Sequence, residues 1–150
     1  MAAASGGPRR KPHILFLGNK NATRTIMAEA YMNKLGSDII DAKSAGLSSE
    51  RVDRRTVEAL KEDGIDLGHP SSTLVNGDLL TWADLIITIS AHDETLKAPI
   101  PNGAREKQWT IASPLKPEAG EEEMDAFRRV RNDVKRRVQQ IVNSMRLSAR

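Results

Sequence analysis

The hydrophobic pattern changes period several times along the chain, and each change marks an element. Residues 14–18 (ILFLG) are consecutively apolar and end on glycine, the pattern of a strand covered on both faces in a parallel sheet. A polar stretch, NKNATRT at 19–25, separates this strand from Ile26, Met27, Ala30, Tyr31 and Leu35, which recur at helical spacing until Gly36 offers a stop. The same order returns as a strand over 39–45, a turn over 46–49 and a helix over 53–63. Val57 and Leu60 face inward in that helix, with Asp53 as its expected N-cap and Gly64 as its expected stop. A shorter helix over 76–82 leads into DLIITIS at 84–90, the clearest strand in the chain. Beyond it the pattern predicts a helical turn over 93–97, a Pro/Asn/Gly loop over 98–104 and a strand over 107–111. The last helix is the most regular element. Met124, Phe127, Val130, Val134, Val138, Ile141 and Met145 lie at steps of 3, 3, 4, 4, 3 and 4, one apolar stripe with arginines opposite.

Strands that alternate with helices are joined by crossover connections, so the sheet is parallel and must be covered on both faces. The expected fold is α/β, a three-layer α/β/α sandwich around a four-stranded parallel sheet with helices on both faces. Residues 1–12 lack periodicity and are expected to form a disordered basic arm, leaving 13–150 as one domain. Ligands of such sheets bind outside the carboxyl ends of the strands, where the strand order switches. That rule points to the first strand–loop–helix junction.

Composition narrows the chemistry. The 150 residues include no Cys, which excludes a disulfide scaffold, a zinc–thiolate site and a catalytic thiol. The three His have neither H-x-x-x-H nor H-E-x-x-H spacing, so no metal site is expected and no cofactor is implied. No apolar run approaches the roughly 20 residues that cross a bilayer, and the N-terminus lacks the apolar core of a secretory signal. A cytoplasmic protein without membrane contact is expected. The formal charge of +3 invites a nucleic-acid reading, but its distribution argues against one. Arg9, Arg10 and Lys11 sit in the expected arm, and residues 121–150 carry eight basic against five acidic side chains, whereas residues 13–120 carry 12 against 15. With only five Phe, Trp and Tyr residues, the chain has no basic groove interleaved with stacking rings.

The candidate anion-binding loop comprises Gly18, Asn19, Lys20, Asn21, Ala22, Thr23, Arg24 and Thr25. Backbone N–H groups in a short loop feeding a helix converge with the positive end of the helix dipole. Lys20, Asn21, Thr23, Arg24 and Thr25 add side-chain donors, and Arg24 can make a bidentate contact to a phosphate-like group. The loop does not follow the Walker pattern, and the plainer alternative is a solvated turn whose arginine pairs with an acid.

The stretch ILFLGNKNATRTIMAEAYMNKLG followed by DAKSAGL resembles the opening of the low-molecular-weight protein tyrosine phosphatases and the related thioredoxin-coupled arsenate reductases. In that family a strand runs into a C-x5-R-[ST] phosphate loop, followed by MAE on the first helix and SAG on the second strand. The likeness continues through VEALKEDGIDLGHPSS, DLIITIS, Trp109 and FRRVRNDVKRRV, and its later segments look closer to the arsenate reductase branch. It implies that Arg24 is the loop arginine, Asn21 the asparagine that braces the loop and Thr25 the hydroxyl after the arginine.

The same resemblance identifies what is missing. Gly18 stands at the nucleophilic cysteine, Thr23 at the second loop cysteine and Lys20 at the loop's glycine. Ser90 and Lys97 lie near the cysteine pair that releases product in the arsenate reductases, and Ala112 and Ser113 precede Pro114 where the general-acid aspartate is expected. Glycine has no atom to attack with, and loss of the acid forfeits roughly 10²- to 10⁴-fold in leaving-group protonation. Lysine at position 20 adds a steric question, because a β-carbon resists φ > 0 if the loop needs it there.

Three functions stay open. The leading one is a family member with a degenerate site, a pseudophosphatase that binds a phosphate- or sulfate-like oxyanion or a phosphorylated ligand without the covalent phosphocysteine step. The second is an enzyme that uses the same crevice for a cysteine-independent reaction on a phosphorylated small molecule. In it Lys20 and Arg24 would position the substrate while His92 or Asp93, just past the 84–90 strand, moves a proton. The ordinary reading of that trio with Glu94 is a solvated helix start. The third is a protein-interaction module whose partner docks on the basic C-terminal helix. His13 reads as structural, His69 as a cap for the segment after it, and Trp82 and Trp109 as packing residues or pocket rim. The arginines of 128–137 read as a solvated helix face.

Overall fold

The computed structural model describes residues 10–148. In chain order the elements are β1 (His13–Gly18), α1 (Arg24–Gly36), β2 (Asp41–Gly46), α2 (Arg54–Glu62), α3 (Gly77–Trp82), β3 (Leu85–Ser90), β4 (Arg105–Thr110) and α4 (Glu123–Ser148). All strand pairs are parallel and the order across the sheet is β2-β1-β3-β4. β1 is central, paired from His13 to Gly18 with Asp41 to Gly46 on one side and from Ile14 to Leu17 with Leu85 to Thr88 on the other.

Period-two alternation divides the β1 side chains between the two faces. Ile14 and Phe16 join Ile87, Ile89 and Trp109 beneath the apolar faces of α1, α2 and α4. Leu15 and Leu17 join Ala45 and Ile86 beneath α3 and the 98–104 loop. The expected three-layer sandwich is therefore lopsided: three helices cover one face, and a single six-residue helix with a loop covers the other.

Several boundaries have specific physical causes. Asp53 caps α2 by accepting the Arg55 N–H, and Gly64 follows that helix at φ +82, the left-handed conformation expected of a stop. Gly36 differs from its expected role, because Ser37 after it keeps a helical φ of −62 and no left-handed residue ends α1. A β-carbon on Gly36 would lie 2.9 Å from Val142 Cγ2, so glycine is needed for close approach of α1 to α4. That contact also draws Val142 into the core, a position the apolar stripe through Ile141 did not include.

The helical turn expected over 93–97 is absent. His92 and Asp93 form a turn and the chain then runs irregularly to β4, which begins at Arg105, two residues before the expected 107. The Glu94 carboxylate accepts the Ala91 N–H as in a helix start. Asn19 and Arg24 also hold that carboxylate and Asn19 donates to the Thr95 carbonyl, so the segment lies against the loop after β1, and Pro99 stops it from continuing as a helix.

Residues 1–9 of the expected arm lie outside the described residues. Arg10 makes a two-point contact to Asp84 at 2.8 Å, and the Pro12 carbonyl accepts the Asp41 N–H. His13 stacks on Trp82 at 4.2 Å, with Nδ1 2.9 Å from the Trp82 carbonyl, a structural position. His69 is exposed and caps nothing: the first helix after it, α3, is capped by Asn76, whose side chain accepts the Leu79 N–H. Trp109 is buried against Phe16. The basic side chains from Arg128 to Arg137 each meet a carboxylate, with Glu62 and Asp63 at the end of α2 taking Arg128, Arg131 and Lys135. No helix among the described residues is long and apolar enough to cross a membrane.

Candidate functional site

A cleft of about 590 Å³ opens at the carboxyl ends of the strands, formed by the whole loop from Gly18 to Thr25 and by residues that follow β2, β3 and β4. The loop takes its shape from where its carbonyls go. Those of Gly18 and Asn19 accept the N–H groups of Leu47 and Ser48, and that of Ala22 accepts both the Asp53 N–H and the Thr56 hydroxyl. Those three carbonyls are thus bonded to residues outside the loop, while the backbone N–H groups from Asn19 to Ile26 have no acceptor among the described residues. Thr23, the N-cap of α1, contributes no side-chain cap either.

Asn21 is the brace. Its buried amide donates to Thr25 Oγ1 and to Ser44 Oγ, each at 2.9 Å, and its carbonyl oxygen accepts the Thr73 N–H at 2.8 Å. Ser44 in turn donates to Glu29 at 2.6 Å, tying the loop to α1 and β2. Gly46 lets the loop lie against β2, since a β-carbon there would sit 2.5 Å from the Ser48 carbonyl oxygen and 2.6 Å from the Asn21 nitrogen. The periodicity places this glycine in a turn over 46–49; in the structure it ends β2, as the S-A-G triplet implies. The steric question at Lys20 is answered by the backbone: no non-glycine residue has a positive φ among the described residues. Its ammonium reaches outward to Glu50 at 3.3 Å.

Arg24 faces the cleft while mostly shielded from solvent. Its Nη1 donates to the Ile111 carbonyl at 2.7 Å, and its Nη2 lies 2.9 Å from Glu94 Oε1 and 3.2 Å from Oε2. Asn19 also donates to Glu94, at 2.9 Å. Burial pushes the Glu94 carboxyl up, but hydrogen bonds from the Ala91 N–H and Asn19 together with the Arg24 charge more than offset it, so its pKa lies below the ordinary carboxylate value. The acid that meets Arg24 is thus Glu94, and its two neighbours sit differently. His92 is exposed and does not line the cleft; Asp93 lines it but is paired with Lys116 at 3.0 Å. That hydrogen bond from Lys116 holds the Asp93 carboxyl below its usual range.

Ala112 and Ser113 line the wall that follows β4, and neither carries an acid; the Ser113 hydroxyl accepts the Leu115 N–H at 3.2 Å. Ser90 is buried and Lys97 exposed. A β-carbon at Gly18 would meet Thr25 Cγ2 at 3.0 Å, so even the space next to a nucleophile's stem is partly filled by a methyl group.

Residues 13–149 match the family described as low molecular weight phosphotyrosine protein phosphatase. The chain belongs to that family. Among its relatives, an arsenate reductase of Halalkalibacterium halodurans is 35% identical over 129 residues, 85% of this chain and 93% of the relative. Among solved structures, an arsenate reductase from Archaeoglobus fulgidus is similar at 28% identity with a TM-score of 0.69, covering 87% of this chain and 98% of that one. An arsenate reductase in the phosphate binding state is similar at 26% identity and a TM-score of 0.75, covering 89% and 98%. This low molecular weight phosphatase relative thus keeps the family's fold while having no cysteine anywhere in its sequence.

Proposed function

We propose that this family member binds a tetrahedral oxyanion in the loop from Gly18 to Thr25 and does so without forming a phosphocysteine. The observation that carries this reading is the run of backbone N–H groups from Asn19 to Thr25 that lack an acceptor among the described residues and belong to the residues lining the cleft beside Arg24. Donors left unmatched in a folded loop cost about 1–3 kcal/mol for each buried group unless water or an anion completes them. Seven of them, running through the loop into the head of a helix, suit an anion with several acceptor oxygens. The relatives suggest the ligand class, since they include arsenate reductases and one of these is in a phosphate binding state.

Gly18 offers no nucleophile and the β4 exit offers no acid, so binding rather than covalent turnover is the reading these residues support. Arg24 pairs with Glu94 yet keeps its Nε–H without an acceptor among the described residues, which leaves it a donor for a ligand. Docking of a protein partner on α4 has less support, because the carboxylates of α2 and of α4 itself already neutralise its basic face.

Calorimetric titration with inorganic phosphate and arsenate, on the wild-type chain and on Arg24→Ala, tests the proposal. Saturable one-to-one binding is expected, weakened about tenfold or more in the variant by loss of charge-assisted hydrogen bonds of ~1.5–3 kcal/mol. No binding to the wild type, or equal affinity in a folded Arg24→Ala, overturns it.

A further inference from the structure

We infer that Glu94 makes this cleft selective for oxyanions that carry an O–H, such as hydrogen phosphate and hydrogen arsenate, over proton-free oxyanions such as sulfate. The inference rests on the oxyanion-binding reading above and adds to it a specificity determinant.

The charges on the cleft wall are balanced. Three cations line it, and each is already matched: Lys20 by Glu50 at 3.3 Å, Arg24 by Glu94 at 2.9 Å and Lys116 by Asp93 at 3.0 Å. An anion therefore enters a neutral site whose attraction comes from oriented N–H dipoles, with no surplus positive charge to absorb a second negative one. Two of the three carboxylates belong to exposed pairs on the rim, where solvent screens them. Glu94 is different. It contacts Arg24 and Asn19, two members of the anion-binding segment, and only about a quarter of its side chain is exposed.

Glu94 is also fixed. The Ala91 N–H, the Asn19 amide and the Arg24 guanidinium hold it from three sides, so it cannot turn away without giving up all three contacts. The charged groups near it are Arg24 from α1, Asp93 from its own turn, and Lys116 from beyond β4, the last two spent on each other. A ligand seated on the loop N–H groups and the free donor of Arg24 then lies beside a stationary carboxylate. Sulfate presents only acceptors to it, and the two repel. A ligand with one O–H turns that repulsion into a charge-assisted hydrogen bond, O–H donating to Glu94. Selectivity follows from the clash built against the wrong ligand as much as from the contact made with the right one.

The test compares inorganic phosphate, sulfate and methyl phosphate by calorimetry at pH 8, where methyl phosphate is a proton-free dianion. Wild type is expected to bind phosphate at least about tenfold more tightly than sulfate or methyl phosphate, the effect of one charge-assisted hydrogen bond. Glu94→Gln, which keeps the shape and an acceptor for Asn19, is expected to bring phosphate and sulfate within about threefold of each other, chiefly by strengthening sulfate. Equal wild-type affinities for phosphate and sulfate overturn the inference while leaving the oxyanion reading intact. So does an unchanged ratio in Glu94→Gln. Absence of any binding to the wild type overturns both. The wild-type comparison needs no variant, so a poorly folding Glu94→Gln does not remove the test.

Discussion

Restoring a sulfur at position 18 would report directly on whether the loop concentrates positive potential at the end of β1. The backbone permits it, because Gly18 is not among the glycines with positive φ. The new β-carbon of Gly18→Cys would sit 3.0 Å from Thr25 Cγ2 and 3.7 Å from the Ile89 carbonyl oxygen. The first contact is too close and the second ordinary, so the strain is that of one crowded methyl group. Overpacking of this kind costs ~1–3 kcal/mol, partly offset by the ~0.4–1 kcal/mol gained when glycine's freedom is removed from the unfolded chain. Thr25→Ser removes the offending methyl while keeping the Oγ1 that accepts from Asn21, at a burial loss of about 0.8 kcal/mol. The double variant Gly18→Cys/Thr25→Ser is therefore expected to be more stable than Gly18→Cys by about 1 kcal/mol.

In that double variant the unmatched N–H groups, the head of α1 and Arg24 should pull the thiol from its ordinary ~8.5 to below about 7, with Glu94 acting in the opposite direction. The rate of alkylation by iodoacetamide against pH reads this value, and urea unfolding reads the stability. Hydrolysis of an aryl phosphate with a good leaving group should become measurable. Alkyl phosphates should lag by roughly 10²- to 10⁴-fold for want of a general acid near Ala112 and Ser113. A folded double variant whose thiol titrates at ~8.5 or higher would refute the reasoning, because the donors would then not converge on position 18.

Two other expectations concern the scaffold. Hydrogen bonds from Arg128 hold the Glu62 carboxyl down at about 2, and those from Arg129 hold Glu121 at about 2. Tyr31 and Lys135 lower Asp63. Since these carboxyls are more acidic folded than unfolded, the unfolded chain takes up protons first, and stability should be full above about pH 4.5 and fall steadily towards pH 2. A urea midpoint that stays flat from pH 5 to 2.5 would contradict the ion pairs that Glu62, Asp63 and Glu121 make with α4. Gly36→Ala should lose ~1–3 kcal/mol by driving a methyl into Val142, less the ~1 kcal/mol gained in helix propensity, and Val142→Ala in the same chain should recover part of the loss. A double-mutant cycle that is additive to within about 0.5 kcal/mol would exclude that contact.

Periodicity and local chemistry were enough to locate most elements. A run of consecutive strand residues, an apolar stripe at steps of three and four, and the capping residue Asp53 act within a few positions of themselves, so the sequence alone determined them. It also determined the order of donors in the loop and the absence of any thiol, neither of which folding can alter. Tertiary structure decided which groups meet. Whether His92, Asp93 or Glu94 would face Arg24 depends on how the turn after β3 lies against the loop after β1, and the two segments are brought together by strand pairing. The same holds for Gly36, whose reason is Val142 on α4, and for Gly46, whose reason is the Asn21 backbone. The missing helical turn over 93–97 has this origin as well: in an acidic segment that locally suits a helix start, the Glu94 side chain and the Thr95 carbonyl are held by Asn19 and Arg24, far away in sequence. Local spacing fixes how a segment turns, whereas the charge and shape of a site at the ends of several strands depend on sheet order and register, which only the folded chain specifies.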